Sequence, residues 1–464
     1  MLRHAVLGTL FVTPIALAQP FQIEKLYQIE VEVLSGRTPI FPGFYPAADG
    51  SDVFAYELAV DEVTLDWHTT LFRFTPAPEV FHEELWLADS VLGHGQVVVD
   101  DGIAVFEHNR LSAGDLWALW KLESGVASPL LNEGEARPGG GQYTRPSPQA
   151  CSGGHVLFAD FLPGSVYDGY FLYDLATDAV RRVAAVGDVI ETMTVNQFGI
   201  AGVDSDGRAA AFFCDAGGDC LLFYSNTDGT TEPIARTGDS IDGGQVVSFF
   251  GRPIFLDDGL VFGATVDDGS GTTTRNTYIR TALGIEMLLP GVLYLDACRI
   301  DGSRFSANAF TPTNSGVFII GSDASMTLVA DRNDPLDGTP VQVFTTAGDS
   351  ADQGVISFYA QQSAVTPGDP PRYVIYRVAL ATCRADLTTT NAPVGDPNYG
   401  VPDGVVSAVD LQYYVNAWVV ADASIADMTT TNAPIGDPNY GVPDGVVSAA
   451  DIQFYVNLWI AGCP

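Results

Sequence analysis

The stretches "GDSIDGG" (Gly238–Gly244) and "GLVFGAT" (Gly259–Thr265) decide how the bulk of this chain folds. The first reads as a turn, because Gly238-Asp239 and Asp242-Gly243-Gly244 put flexible and side-chain-capping residues around a two-residue step. The second is an apolar run without alternation, the pattern of a strand covered on both faces. Both elements recur. Turns of the first kind are "GRTPIFPG" near residue 36, "GEARPGGG" at 134, "GDVIETM" at 187, "LLPGVLY" near 288 and "RNDPLDG" at 332, with a degenerate copy near 84. Strands of the second kind are "GIAVFEH", "GHVLFAD", "GRAAAFF", "GSRFSAN" and "GVISFYA". The two kinds march in step with a period of about 50 residues, within the range of propeller blades.

From about residue 20 to 380 the chain is mainly β, with short Val, Ile, Phe and Tyr runs between Gly, Asp, Asn and Pro turns. One four-stranded sheet cannot bury two apolar faces, whereas radial stacking covers each face with a neighbouring sheet. Seven repeat starts predict a seven-bladed β-propeller over residues 19–380. Six or eight blades stay open at the ends, and a pair of β-sandwich domains is the competing architecture. The repeats resemble an uncharacterised class of exported bacterial repeat proteins with "GDxIPGG" turns followed by "GxVxF" strands. Gly238–Gly244 and Gly259–Phe262 match best, and the class brings no activity with it.

The C-terminal part is organised differently. Residues 385–418 and 426–459 align without gaps at a period of 41 and are identical at 28 of 34 positions. Each copy holds a Pro-Asp-Gly turn, a Ser, an Asp and then an apolar pattern of helical spacing, in "GVPDGVVSAVDLQYYVNAW" (Gly400–Trp418) and "GVPDGVVSAADIQFYVNLW" (Gly441–Trp459). Counted as a 12-residue calcium loop with Gly404 at the sixth position, Asp403 is fifth, Val405 offers its carbonyl at the seventh, Ser407 is ninth and Asp410 twelfth. The second copy repeats this with Asp444, Val446, Ser448 and Asp451. Strict counting puts Tyr399 and Val401 at the first and third positions, where neither serves. Upstream candidates are Asp386, Thr388 or Asn391, and Asp396 or Asn398, with Asp427 and Thr429 their counterparts, so the loop carries an insertion. The competing reading needs no metal: Pro-Asp-Gly is a turn and Ser407 caps the helix that follows.

Two Asp-Gly loops in tandem, each followed by one helix, resemble a dockerin module, and "CRADLTTTN" with the terminal "AGCP" resembles its GC-type variety. The resemblance covers residues 383–464. It implies a small α-helical domain that binds two Ca2+ ions through Asp386, Thr388, Asp403, Val405, Ser407 and Asp410 and their counterparts Asp427, Thr429, Asp444, Val446, Ser448 and Asp451. It also implies docking onto a cohesin-like or cell-surface receptor through the helix residues Leu411, Tyr414, Trp418, Ile452, Tyr455 and Trp459.

Composition bounds the partners. With 21 Lys+Arg against 57 Asp+Glu the formal charge is −36, a field that repels nucleic acid. Arg3, His4 and the run "AVLGTLFVTPIAL", followed by Ala16-Leu17-Ala18, read as a signal peptide over residues 1–18. No segment has the apolar length of a membrane span. The protein is therefore expected to be secreted or displayed at the cell surface. Six cysteines suit that compartment. Cys214 and Cys220 flank a turn and Cys383 and Cys463 bracket the tandem repeat, so each pair is a disulfide candidate, and the pairing of Cys151 and Cys298 is left open.

The propeller region shows no catalytic set. Gly238-Asp239-Ser240 and Gly348-Asp349-Ser350 spell the nucleophile block of some esterases, but every His of the chain lies upstream of both. Asp204-Ser205-Asp206-Gly207 begins like a calcium loop, yet its twelfth position is Phe213. The function expected from sequence is a non-enzymatic exported propeller anchored by a calcium-binding tail. A dockerin-borne polysaccharide hydrolase or lyase is the alternative, and a polysaccharide is a further possible partner.

Overall fold

The apolar runs pair as antiparallel strands into seven sheets of four or more strands. The computed structural model describes residues 21–28, 38–42, 46–49, 52–60, 67–75, 81–88, 97–110, 116–162, 166–300, 302–332, 335–336, 339–345, 351–352, 355–362, 372–380, 385, 387–388, 394, 399–400, 406–431 and 443–461. The signal-peptide reading of residues 1–18, the Gly348-Asp349-Ser350 block, and Cys383 and Cys463 lie outside them.

Blade 3 shows the common plan: Pro146–Ser152, His155–Leu162, Val166–Asp174 and Ala179–Ala185 pair in chain order through tight turns. Six sheets are built in this way from consecutive strands. In the seventh, Phe21–Gln28 lies beside Arg372–Leu380, so the first strand among the described residues joins the last blade. The innermost segments Ala47–Asp49, Val97–Asp100, Pro146–Ser152, Gln197–Val203, Gly244–Leu256, Leu293–Arg299 and Ala351–Asp352 neighbour one another in turn, and the last neighbours the first. This closed ring makes the first unit, Ile23–Ala379, a β-propeller. Closure leaves no long sheet edge exposed.

The continuous apolar runs follow from this stacking. In "GRAAAFF", Ala209, Ala211 and Phe213 enter the core shared with blade 3, around Leu157, Tyr170 and Phe198. The alternate Ala210 enters the core shared with blade 5, with Tyr224, Phe255, Phe262 and Tyr278, and Phe212 packs against it. Likewise Phe158 and Phe171 of blade 3 face Val105 and Leu119 of blade 2. With both faces buried, alternation of polar and apolar residues vanishes.

The turns account for much of the acidity. Gly187 N–H donates to Val195 O, Val195 N–H to Asp188 O, and Ala185 N–H to the Asp188 carboxylate. Gly238, Val246, Asp239 and Arg236 repeat this bonding, so Gly238-Asp239-Ser240 is an inter-blade turn with Ser240 exposed in a short strand. Within blades, Asp174, Asp215, Asp228, Asp268 and Asp323 each accept the N–H two residues on, closing hairpins as Asx turns. Asp204 accepts the N–H groups of Asp206 and Arg208 and pairs with the Arg208 side chain, which makes that stretch a turn as well. Cys214 and Cys220, opposite each other on paired strands, form a disulfide. Cys151 is half-buried and Cys298 buried.

The second unit begins at Leu380. It holds the helices α1 (Ala408–Val419), α2 (Ala423–Ala426) and α3 (Ala449–Ala461). Among the described residues no helix is long and apolar enough to cross a membrane.

Candidate functional site

Ser407 is the N-cap of α1: its Oγ accepts the Val409 N–H at 3.2 Å, and Asp410 returns its carboxylate to the Ser407 N–H (2.7 Å) and Oγ–H (2.8 Å). This is a capping box. The other Asp410 oxygen accepts the N–H groups of Leu387 (2.7 Å) and Thr388 (2.8 Å). Asp451 is held identically by Ser448, Met428 and Thr429. Both carboxylates are 0% exposed, and four donors fill the roughly four lone-pair sites of each. Asp410 and Asp451, at the twelfth position of the expected calcium loop, are thus each bonded four times within the module. They tie the start of each repeat to the start of its own helix.

The remaining residues of the expected ligand set are spread in the same manner. Thr388 Oγ1 accepts the Gly400 N–H at 2.7 Å. Asp427 accepts the N–H groups of Asp444 and Gly445. Asp444 accepts those of Thr431 (2.7 Å) and Val446 (3.0 Å), and these bonds hold its carboxyl below the usual range. Thr429 is buried and Val446 exposed. Asp386, Asp403 and Val405 lie outside the described residues. Among the described residues no three His, Cys, Asp or Glu side chains gather as a metal-binding group.

The residues expected to dock a receptor are turned on each other. Tyr414 and Tyr455 are 0% exposed and stack face to face. Tyr414 Oη–H donates to Ala426 O at 3.0 Å and Tyr455 Oη–H to Ala385 O at 2.9 Å. Trp418 Nε1–H donates to Ser448 O and Trp459 Nε1–H to Ser407 O. Leu411, Trp418, Ile452 and Trp459 are partly buried against the same core. Period-41 equivalents thus exchange contacts, and each repeat completes the other.

In the propeller, the innermost strands carry a second arrangement that sequence did not single out. The register slips at Gln149 in blade 3, at Gly199-Ile200 in blade 4, at Gly251-Arg252-Pro253 in blade 5 and at 295–296 in blade 6. Gly251 has φ +68 and a Cβ there would meet the ring of Tyr294, so this break requires glycine. Arg252 Nη1 donates to Gln149 O, from blade 5 to blade 3. Gln197–Val203 stands between those two strands in the ring, so the side chain reaches past it. Gly202 lies against this crossing: a Cβ there would meet Pro253 O. Tyr170 Oη–H donates to Gly199 O (2.7 Å) and Tyr294 Oη–H to Arg252 O (2.9 Å), which secures the bulged backbone. The only trace in sequence is "FFGRPIF", an Arg between Gly and Pro inside an apolar strand.

A charge cluster shared by blades 2 and 3 is internally satisfied. Arg137 bonds Asp160 (3.0 Å) and Asp168, while Arg145 bonds Glu107 (2.6 Å) and lies 4.2 Å over the Trp117 ring. Burial raises the Asp160 carboxyl above its ordinary range, against the opposing pull of two N–H bonds and Arg137.

No protein-family model and no curated protein matches the chain. Solved structures do. The β-propeller domain of the Trilobed protease from Pyrococcus furiosus aligns at 9% identity over 72% of this chain and 94% of that one, with a TM-score of 0.43. A Mycobacterium tuberculosis puromycin-hydrolyzing peptidase aligns at 12% identity over 76% of this chain and 56% of its own, TM-score 0.44. Pyrococcus horikoshii acylaminoacyl peptidase aligns at 10% identity over 72% and 51%, TM-score 0.43. The chain spans about half the length of these two peptidases, and the likeness is one of fold.

The functional expectation finds no support in these comparisons. The solved structures with which this chain aligns include peptidases, a Trypanosoma rangeli sialidase and a Xanthomonas campestris gluconolactonase. In the tail, the twelfth-position carboxylates accept bonds from within the module, and of the expected docking residues Tyr414 and Tyr455 are buried in its core. The non-enzymatic propeller docked through a calcium-binding tail is therefore not retained, nor is the dockerin-borne polysaccharide hydrolase or lyase.

Proposed function

We propose that this chain is a ligand-binding protein whose recognition site is the propeller axis, on the bulged innermost strands of blades 3 to 6. One observation carries the reading: four successive inner strands break register within the strand, and in blade 5 the break directs an Arg past the inner strand of blade 4 to blade 3. Bulges interrupt a ladder at a cost in pairing and serve to re-aim side chains, often next to binding sites. The tight inter-blade cores supply the rigid frame that a preorganised site needs. We read the protein as exported, which the Cys214–Cys220 disulfide supports.

The test is a thermal-shift and calorimetric screen of the full chain against neutral sugars, amines, dipeptides, carboxylic acids and phosphate. Crystals soaked with any binder then locate it. A ligand seated on the residue 149, 199 and 252 segments is the expected result. Binding only at the outer rim, or no binding by any class, overturns the reading.

A further inference from the structure

We propose that Arg252 makes the propeller axis a carboxylate site, one that takes the acid group of a small organic monoanion. The inference rests on the axial reading above and specifies its ligand. Arg252 is 5% exposed, and its guanidinium stays protonated in a protein. Arg137, Arg145, Arg182, Arg208 and Arg299 each sit on a carboxylate. Arg252 has none among the described residues. Its Nη1 donates to a neutral backbone carbonyl, Gln149 O, and its Nε is buried without any partner. A buried charge with so little compensation is costly, and an anion is the group that removes the cost.

The unpartnered part of the guanidinium sets the shape of that anion. With Nη1 committed to Gln149, the free edge is the one where Nε–H lies alongside Nη2–H. Two parallel N–H donors match the two oxygens of a carboxylate in one plane. The surrounding polar groups do not compete for it: the Tyr170 hydroxyl is spent on Gly199 O and the Tyr294 hydroxyl on Arg252 O. The chain's charge of −36 penalises each further negative charge on an incoming ligand, so a monocarboxylate is favoured over phosphate.

The experiment uses the full chain and titrates acetate, benzoate, inorganic phosphate and glucose into wild type, Arg252→Lys and Arg252→Met. Expected are saturable binding of the carboxylates to wild type with phosphate weaker, and about a 10-fold or larger loss in Arg252→Met, as for a bidentate charged pair. Arg252→Lys keeps charge without the fork and retains only weak binding. Equal carboxylate affinity in Arg252→Met, or preference for phosphate, overturns the assignment. If glucose or another neutral compound binds at the axis and no acid does, the carboxylate assignment falls and the axial reading stands. If nothing binds, both fall. Should Arg252→Met fail to fold, phenylglyoxal labelling of wild type decides: benzoate protects Arg252 from modification, and unchanged labelling counts against the site.

Discussion

Tyr414 and Tyr455 stack with ring centroids 3.9 Å apart and planes 3° from parallel, each donating its hydroxyl to a carbonyl of the other repeat. The pair sits where a local two-fold relation between the repeats passes through the module, so the two residues are energetic equivalents. Tyr414→Phe and Tyr455→Phe each strand one buried carbonyl, an expected loss of about 1–3 kcal/mol. Either Tyr→Ala change opens a cavity at the stack and should cost about 3–5 kcal/mol, by analogy with other large aromatic deletions. Helical circular dichroism during urea unfolding reads both. Clearly unequal losses for the two Phe variants would show that the two-fold relation does not govern the energetics.

Asp410 and Asp451 should behave as backbone staples. Asp410→Asn keeps the size but replaces one acceptor oxygen with a donor facing Ser407. The expected cost is about 1–3 kcal/mol of module stability, the range for an unsatisfied buried group. The loss should be the same in calcium and in chelator. A variant destabilised in calcium alone would instead mark Asp410 as a metal ligand.

Stability should fall on the acid side for a reason that lies in the turns. Hydrogen bonds to Ser, Thr and backbone groups hold Asp228, Asp268 and Asp323 below the usual carboxylate range, and Asp174 and Asp444 are held low as well. A depressed folded-state pKa contributes stability that is complete above the unfolded value, near 3.9, and is lost as pH falls through the folded one. Asp160 acts with the opposite sign. Burial raises it, so the folded state binds its proton more tightly and loses stability as pH rises from the unfolded value through the folded one. Melting temperatures of wild type and Asp160→Asn between pH 3 and 7 separate the two. Asp160→Asn should lose the opposing slope above about pH 4 and keep the acid limb.

Reduction of Cys214–Cys220 should weaken the propeller without dismantling it. The bond closes a short loop between strands already paired. Loop entropy for that length amounts to about 2 kcal/mol. The Cys214→Ser/Cys220→Ser double variant, compared with wild type in urea, checks this. A loss of folding altogether would show that the hairpin depends on the bond.

The Gly-Asp turns and unalternated apolar strands made the β-propeller legible, because a sheet with two apolar faces has few ways to bury both. The Ser407 cap and the start of α1 were legible too, since capping depends on neighbours three residues away. The roles of the repeated acids of the tail were not. Spacing placed Asp410 at a ligand position, but its partners Leu387 and Thr388 lie more than 20 residues upstream and reach it only in the folded module. The same holds for Tyr414 and Trp418: helical spacing showed that they share a face, and only packing showed that the other repeat covers it.

By itself, then, the sequence determined the repeat architecture of the β-propeller and the local turns and caps, all of which rest on short-range geometry. Tertiary structure alone decided which carboxylates are already spent on backbone donors and which guanidinium is not. The free edge of Arg252 comes from a bulge in blade 5 and a carbonyl of blade 3, 103 residues apart in the chain, and no local pattern encodes that meeting.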